Sequence, residues 1–331
     1  MSHMIVTRAP FRIPLGGGGT DLPSYYSKYG GKLISVAIDK YLVTTVNHPV
    51  TDNLIRLKYS HSETVESVGE IKHDLIKEAL KLTGITQGVE LSFIADIPAG
   101  TGMGTSGSFL VSMLKALHAF KKEEVTAKHI AEEACDIEIN KLKNPVGKQD
   151  QYIAAIGGIT QLIIDKKGRV EVEKPIITPE TIEDLEDSLL LFYTGIQRSS
   201  RSILKSQNSS TQKGNKKVLD SLHYIKEIGE EITKSLKIGN IDSFGKLLNT
   251  HWEYKLKLSG KISNGDINRW YEKGISAGAL GGKLIGAGGG GFLLFCCPGD
   301  KRNLRKAMQE EGLNEMFFHF DFDGVKLVAN F

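Results

Sequence analysis

Between Val89 and Phe120 the chain passes from an alternating apolar stretch, Val89 to Ala95, into a glycine-rich turn and straight out into a helical pattern. Phe109, Leu110, Met113, Leu114, Leu117 and Phe120 fall along one face of that pattern. The turn reads Gly100-Thr101-Gly102-Met103-Gly104-Thr105-Ser106-Gly107-Ser108 and follows Pro98. Strand, glycine loop and helix in this order restrict the fold and point to a ligand. Glycine reaches the positive φ values that let several backbone N–H groups converge on one point. The helix behind the loop adds its unpaired N–H groups and the positive end of its dipole. The segment is therefore a predicted phosphate cradle, and the hydroxyl of Ser106 is a candidate magnesium ligand. The plainer alternative is a flexible loop that binds nothing.

Two familiar nucleotide motifs compete for the same residues. Gly102, Gly104 and Gly107 match G-x-G-x-x-G, but the acidic residue that should close a second strand about 20 residues later falls near Lys121 to Glu124, after a long helix. A dinucleotide oxidoreductase is thus a weak reading. No glycine stretch is followed by Gly-Lys-Ser or Gly-Lys-Thr, which excludes the ordinary P-loop.

Strands are predicted at Ile5 to Ile13, Lys32 to Val46, Leu54 to Ser60, Gly158 to Ile164, Leu189 to Tyr193, Gly291 to Cys297 and Gly324 to Val328. Helices are predicted at Ile71 to Leu82, Ala127 to Lys141, Val218 to Leu236 and Ile241 to Lys257. The second of these ends at Lys141, before Asn144-Pro145, where the residue before proline is biased out of helical geometry. Both halves mix strands and helices, so the predicted class is α+β. The pattern weakens between Pro175 and Glu186, which sets expected domains at residues 4–175 and 176–331.

A chain of 331 residues needs no staples. Its net charge of +3, with Lys and Arg scattered, gives no nucleic-acid footprint and suits a small anionic ligand. Cys135, Cys296 and Cys297 lack both disulfide and zinc spacing, and read as buried thiols in a reducing, cytoplasmic setting. No apolar run is long enough to cross a bilayer, so no membrane partner is expected. Ser2 and His3 have the look of a cloning remnant, which puts the expected natural start at Met4.

Two further glycine-rich segments flank the cradle in sequence. The first is Pro10-Phe11-Arg12-Ile13-Pro14-Leu15-Gly16-Gly17-Gly18-Gly19-Thr20-Asp21, and the last is Ile285-Gly286-Ala287-Gly288-Gly289-Gly290-Gly291-Phe292. Taken with Pro98 to Ser108 they resemble, in order and type, the three motifs of the GHMP kinases, with Met103 and Thr105 as mild departures from the central pattern. Gly17-Gly18-Gly19-Thr20-Asp21, Val146-Gly147-Lys148-Gln149-Asp150-Gln151-Tyr152 and Tyr193-Thr194-Gly195 are similar to the sugar-phosphate branch that includes the heptose 7-phosphate kinases.

The resemblance implies a two-domain fold, an N-terminal domain like ribosomal protein S5 domain 2 and a ferredoxin-like C-terminal domain. It implies ATP with Mg²⁺, and phosphorylation of the anomeric hydroxyl of a sugar phosphate by a monomer or homodimer. Asp150 becomes the expected catalytic base, with Arg12 and Lys148 beside it, and Glu138 joins Ser106 as an expected magnesium ligand. Without the resemblance, Asp150 reads as a helix N-cap and Glu138 as a solvated helix face. Asp21 is expected on the sugar hydroxyls, with Gly18, Gly19, Thr20, Gly147, Thr194, Gly288 and Gly289 around the acceptor. Arg198 and Arg201 are the candidate cations for its phosphate. Lys255 and Lys257 are weaker candidates, and His251 and Trp252 are candidates for lining the pocket, although a lone His or Trp on an amphipathic helix is more often a core or rim residue. The competing functions are a kinase of another branch, acting on galactose, fucose or an isoprenoid precursor, and a non-catalytic sensor on the same fold.

Overall fold

The structure, a computed structural model, describes residues 4–197 and 200–331. Seven strands come from residues 4–175: β1 (Ile5–Gly16), β2 (Gly31–Asn47), β3 (Ile55–Lys58), β4 (Ser62–Val65), β5 (Val89–Ala95), β6 (Ile159–Ile164) and β7 (Val170–Glu173). The second half supplies β8 (Leu189–Tyr193), β9 (Gly281–Leu284), β10 (Phe292–Cys296), β11 (Asn314–Glu315) and β12 (Lys326–Asn330). The first sheet runs β12-β1-β2-β5-β3-β4, with β6 and β7 continuing from the other end of the long β2. The last strand of the chain thus returns to pair with the first. A second, antiparallel sheet has the order β11-β8-β10-β9.

Local chemistry shapes β1. Its pairing with β2 slips between Pro10 and Phe11 and again between Pro14 and Gly16. Proline has no N–H to give a ladder, so it collects at such irregularities. The regular stretch between the two slips holds Arg12 opposite Ala37.

The helix Thr105–Phe120 packs under this sheet. Leu110, Val111, Met113, Leu114, Ala116 and Leu117 on it are fully buried, so it is apolar nearly all round, as a core helix must be. Each such large side chain contributes about 1.5–3 kcal/mol. Polar ties fix its register on β1: Thr7 Oγ1 donates to Ser112 O at 2.8 Å and Ser108 Oγ donates to Pro10 O at 2.8 Å. Arg12 is thereby set directly over the start of the helix.

The predicted helix at Ala127–Lys141 is regular only to Cys135, and Asp136–Lys141 continues it as a π-helical turn. Helices at Pro23–Tyr29, Pro179–Ser188, Ser200–Gln212, Gly265–Ser276 and Arg302–Glu310 lie outside the predicted ones. All three cysteines are buried free thiols. Among the described residues no helix is long and apolar enough to cross a membrane.

Candidate active site

A cavity of about 610 Å³ lies where the three glycine-rich segments meet. The segments form one surface. A Cβ on Gly102 would lie 2.7 Å from Ile285 O, and one on Gly291 would lie 2.0 Å from Thr101 O. Only glycine permits the central and the last segment to pack backbone against backbone in this way.

The central loop ends at Gly104, whose φ of 83° is left-handed, and no side chain caps the helix that starts at Thr105. The first N–H groups of that helix are therefore left for another acceptor. Pro98, Gly100, Gly102, Gly104, Thr105 and Ser106 line the cavity. Thr101, Met103, Gly107 and Ser108, expected among the ligand-binding residues, lie outside its lining. Thr101 and Met103 are fully buried, Thr101 Oγ1 donates to Pro98 O at 3.0 Å, and Ser108 is spent on Pro10. These four hold the loop in shape, and Gly107 also makes room: its Cβ would fall 2.6 Å from Cβ of Asp150.

Asp150 sits in the first turn of the helix Gln149–Ile156, whose N-cap position is Lys148. Asp150 is thus not the cap, although the helix N-terminus still favours its negative charge. Arg12 Nε and Nη2 both reach Asp150 Oδ1, each at 2.7 Å, and Arg12 Nη1 donates to Gly102 O at 2.7 Å. Arg12 is almost wholly buried, at 4% exposure, whereas Asp150 keeps 26%. The carboxylate faces the cavity from a fixed cation.

Asp21 approaches from the first glycine segment and accepts from Gly19 N and Gln149 N, both at 3.1 Å. Burial pushes its carboxyl above the usual range, and the two backbone donors pull the other way. A Cβ on Gly147 would sit 1.9 Å from Asp21 Oδ2. Gly18, Gly19, Asp21, Gly147 and Gly288 all line the cavity.

Thr20, Thr194 and Gly289 do not line it. Thr20 Oγ1 donates to Gly17 O at 2.7 Å, Thr194 Oγ1 to Gly291 O at 2.8 Å, and Gly289 N to Ile262 O at 2.7 Å. They shape the loops. Lys148 also lies off the lining, with its ammonium on Gly168 O and 5.7 Å above the Tyr26 ring. Arg201 pairs with Asn144 at a smaller recess next to His73 and Asp74. Arg198 lies outside the described residues.

Glu138, on the π-helical turn, is 2% exposed. It accepts from Gln151 Nε2 at 2.6 Å and is hydrogen-bonded by Ser106. Burial pushes its carboxyl up to about 7, offset in part by the bonds from Ser106 and Gln151. It is not the solvated helix residue that spacing alone suggests.

Sequence reasoning missed the aromatic end of the cavity and, at the polar end, Gln207 and Lys283, while His251 and Lys255 are among its weaker candidates. One end is aromatic: Tyr59, His73, Phe93 and Phe109 come from four separate segments, with His73 stacked on Phe109 at 5.2 Å and Phe93 against Phe109 at 4.4 Å. The other end carries Gln207, His251, Lys255 and Lys283 from the second half of the chain. Lys257 instead points outward and lies 3.9 Å over the Tyr254 ring.

Comparison with known proteins gives a consistent picture. Residues 71–158 match the GHMP kinases N terminal domain and residues 232–314 the GHMP kinases C terminal domain. The chain is 30% identical to the D-glycero-alpha-D-manno-heptose 7-phosphate kinase of Campylobacter jejuni subsp. jejuni, over 97% of this chain and 98% of that protein. It is 27% identical to an L-fucokinase/L-fucose-1-P guanylyltransferase of Bacteroides fragilis, over 93% of this chain and 36% of that protein. Its fold is similar to that of a D-glycero-D-manno-heptose 1-phosphate kinase from Bacteriodes thetaiotaomicron, with a TM-score of 0.79, 24% identity and coverage of 99% and 100% of the two chains.

Proposed function

Because the chain belongs to the GHMP kinases, a family of ATP-dependent phosphotransferases, we propose that it moves the terminal phosphoryl group of ATP to the anomeric hydroxyl of a sugar phosphate. The acceptor is D-glycero-D-manno-heptose 7-phosphate. The observation that carries this reading is the Arg12–Asp150 pair, set at the foot of an uncapped helix N-terminus and between an aromatic and a polar end of one cavity. The relative with the highest identity given above acts on that heptose phosphate by name.

The adenine ring belongs between the aromatic side chains Tyr59, His73, Phe93 and Phe109, which offer flat apolar faces. The triphosphate follows the N–H groups of Gly100 to Ser106. Asp21 accepts hydrogen bonds from sugar hydroxyls, and Gly147 gives it the room to do so. The acceptor hydroxyl then meets Asp150 Oδ2, which has no partner among the described residues, and gives its proton there as its oxygen bonds to the γ-phosphorus and the bond from that phosphorus to the bridging oxygen of the leaving ADP breaks. Arg12 holds the carboxylate in place and adds positive charge beside the transferred group.

Ser106 and Glu138 fit a magnesium ion. A nearly buried carboxyl with only neutral hydrogen-bond partners, beside a hydroxyl at the phosphate loop, offers the hard oxygen donors that Mg²⁺ takes together with substrate phosphates. When bound, the ion neutralises charge on the phosphate oxygens. Three buried, reduced thiols and the need for ATP support a cytoplasmic setting, with a monomer or homodimer as the working assembly.

The decisive assay is ADP release with D-glycero-D-manno-heptose 7-phosphate, followed by phosphorus NMR of the product. A second phosphomonoester at C1 is expected. ADP release with galactose or mevalonate, and none with the heptose phosphate, would move the chain to another branch.

A further inference from the structure

Outside the residues used so far, the cavity wall holds an uncompensated set of cations. His251 and Lys255 are spaced i, i+4 on the helix Ile241–Leu256 and so share one face. Lys283 reaches the same place from β9 and is 1% exposed. Neither lysine has a carboxylate partner among the described residues. Lys283 Nζ donates only to Leu15 O at 2.9 Å, and Lys255 Nζ donates to Leu284 O at 2.7 Å and Gly286 O at 2.6 Å. An ammonium has three donors, so one remains on Lys255 and two on Lys283.

Two neighbours at this end are also unspent. His251 is 3% exposed and Gln207 is 5% exposed, yet both ring nitrogens of His251 and Nε2 of Gln207 lack a partner among the described residues. Burying unpaired cations and donors is costly, and it persists where a ligand supplies the missing charge and acceptors. Burial, with repulsion from Lys283 and Lys255, holds His251 well below its usual value; burial, with repulsion from Lys255 and Arg12, does the same to Lys283; and burial, with repulsion from Arg12, brings Lys255 down to about 7.

We infer that His251, Lys255, Lys283 and Gln207 form the site for the acceptor's own phosphate group, the one that is not transferred. This rests on the sugar-phosphate reading above and deepens it. Lys283 and Gln207 tie the cluster to the acceptor side of the cavity, while Lys255 and Lys283 also feel the charge of Arg12. Lys283 rests on Leu15, in the run that leads to Gly18, Gly19 and Asp21, and Gln207 Nε2 lies 2.9 Å from where a Cβ on Gly19 would be. The ATP phosphates already have the loop N–H groups and Arg12. A sugar with its anomeric hydroxyl at Asp150 and its ring hydroxyls at Asp21 carries its far end onto the cluster. Of the two sequence-based candidates for this task, Arg201 is bonded to Asn144 at another recess and Arg198 lies outside the described residues.

The test compares D-glycero-D-manno-heptose 7-phosphate with unphosphorylated D-glycero-D-manno-heptose. Lys283→Met and, separately, Lys255→Met should lower the ratio of their kcat/KM values by about 10- to 100-fold, mainly through KM, as expected for losing one charge-assisted bond. The KM for ATP is a control on the nucleotide side, and a cooperative thermal transition is the control on folding. If neither lysine variant folds, His251→Gln takes their place. Equal loss for both acceptors through kcat would overturn the inference, since the cluster would then act on the transferred group. A wild-type enzyme indifferent to the acceptor's phosphate would overturn it too, while leaving the kinase reading intact. If the wild type forms ADP with neither heptose, the heptose reading fails. Isothermal titration with inorganic phosphate then decides the cluster: weaker binding by Lys283→Met supports it, and equal binding overturns it.

Discussion

Arg12 closes on a single oxygen of Asp150. Nε and Nη2 both lie 2.7 Å from Oδ1, and the remaining nitrogen, Nη1, is tied to Gly102 O. The pair joins three distant parts of the chain: the strand between two prolines, the glycine loop and the first turn of the helix at Gln149. It also leaves one oxygen of the carboxylate facing the cavity. A residue held this way is positioned before substrate arrives, which is the condition for efficient proton transfer.

Asp150→Asn keeps the shape and removes the basic oxygen. kcat should fall by about 10²–10⁴-fold, the usual weight of a positioned base. ATP affinity should change little, because the loop N–H groups are untouched. Steady-state ADP release and nucleotide titration measure the two quantities. An unchanged kcat would remove Asp150 from the chemistry.

Arg12→Lys retains the charge and loses the fork. Lysine cannot donate to Asp150 twice and to Gly102 at once. A fall in kcat of about 10²-fold is expected in the wild-type background. In the Asp150→Asn background the same change should cost much less, because residues acting as a unit are not additive. Equal costs in the two backgrounds would mean that the arginine acts on the phosphoryl group alone.

How far this site can be read from sequence depends on how local its physics is. The glycine loop is legible because a backbone cradle requires glycine at fixed places in one short segment. Asp150 and Glu138 emerge only through the family resemblance: pattern alone gives a cap and a solvated face, whereas the structure puts Glu138 on a buried π-helical turn. Thr20 and Thr194 sit inside the recognised motifs, but their hydroxyls bond to backbone and shape the loops. Lys283 has no local signature, since β9 is four residues long, opens with two glycines and meets Leu15 only after the chain has folded back. The aromatic end is invisible for the same reason, being assembled from four segments.

Gly147→Ala is a test of close approach. The added methyl would fall 1.9 Å from Asp21 Oδ2, far inside contact distance, so either the carboxylate or the loop must move. The KM for the sugar phosphate should rise by at least about 10-fold, the loss of roughly one good hydrogen bond to a charged group. The KM for ATP should stay within about a factor of two. Parallel losses for both substrates would show that the loop has collapsed as a whole.

The carboxyl of Glu138 gives the metal-free protein a pH dependence of definite sign. Its ordinary value is 4.5, and burial in the fold raises it to about 7. Between those values the folded state holds a proton that the unfolded chain has released. Stability therefore falls as pH rises through this window and levels off above it. The total is of order 3 kcal/mol, taking about 1.4 kcal/mol per unit. Glu138→Gln is neutral in both states, so it should flatten the window, and urea unfolding of metal-free protein at pH 5 and pH 8 compares the two. A cation that binds the ionised carboxylate should restore wild-type stability at pH 8 and leave Glu138→Gln unmoved. If MgCl₂ with ATP stabilises both proteins equally at pH 8, Glu138 is not a ligand of the ion.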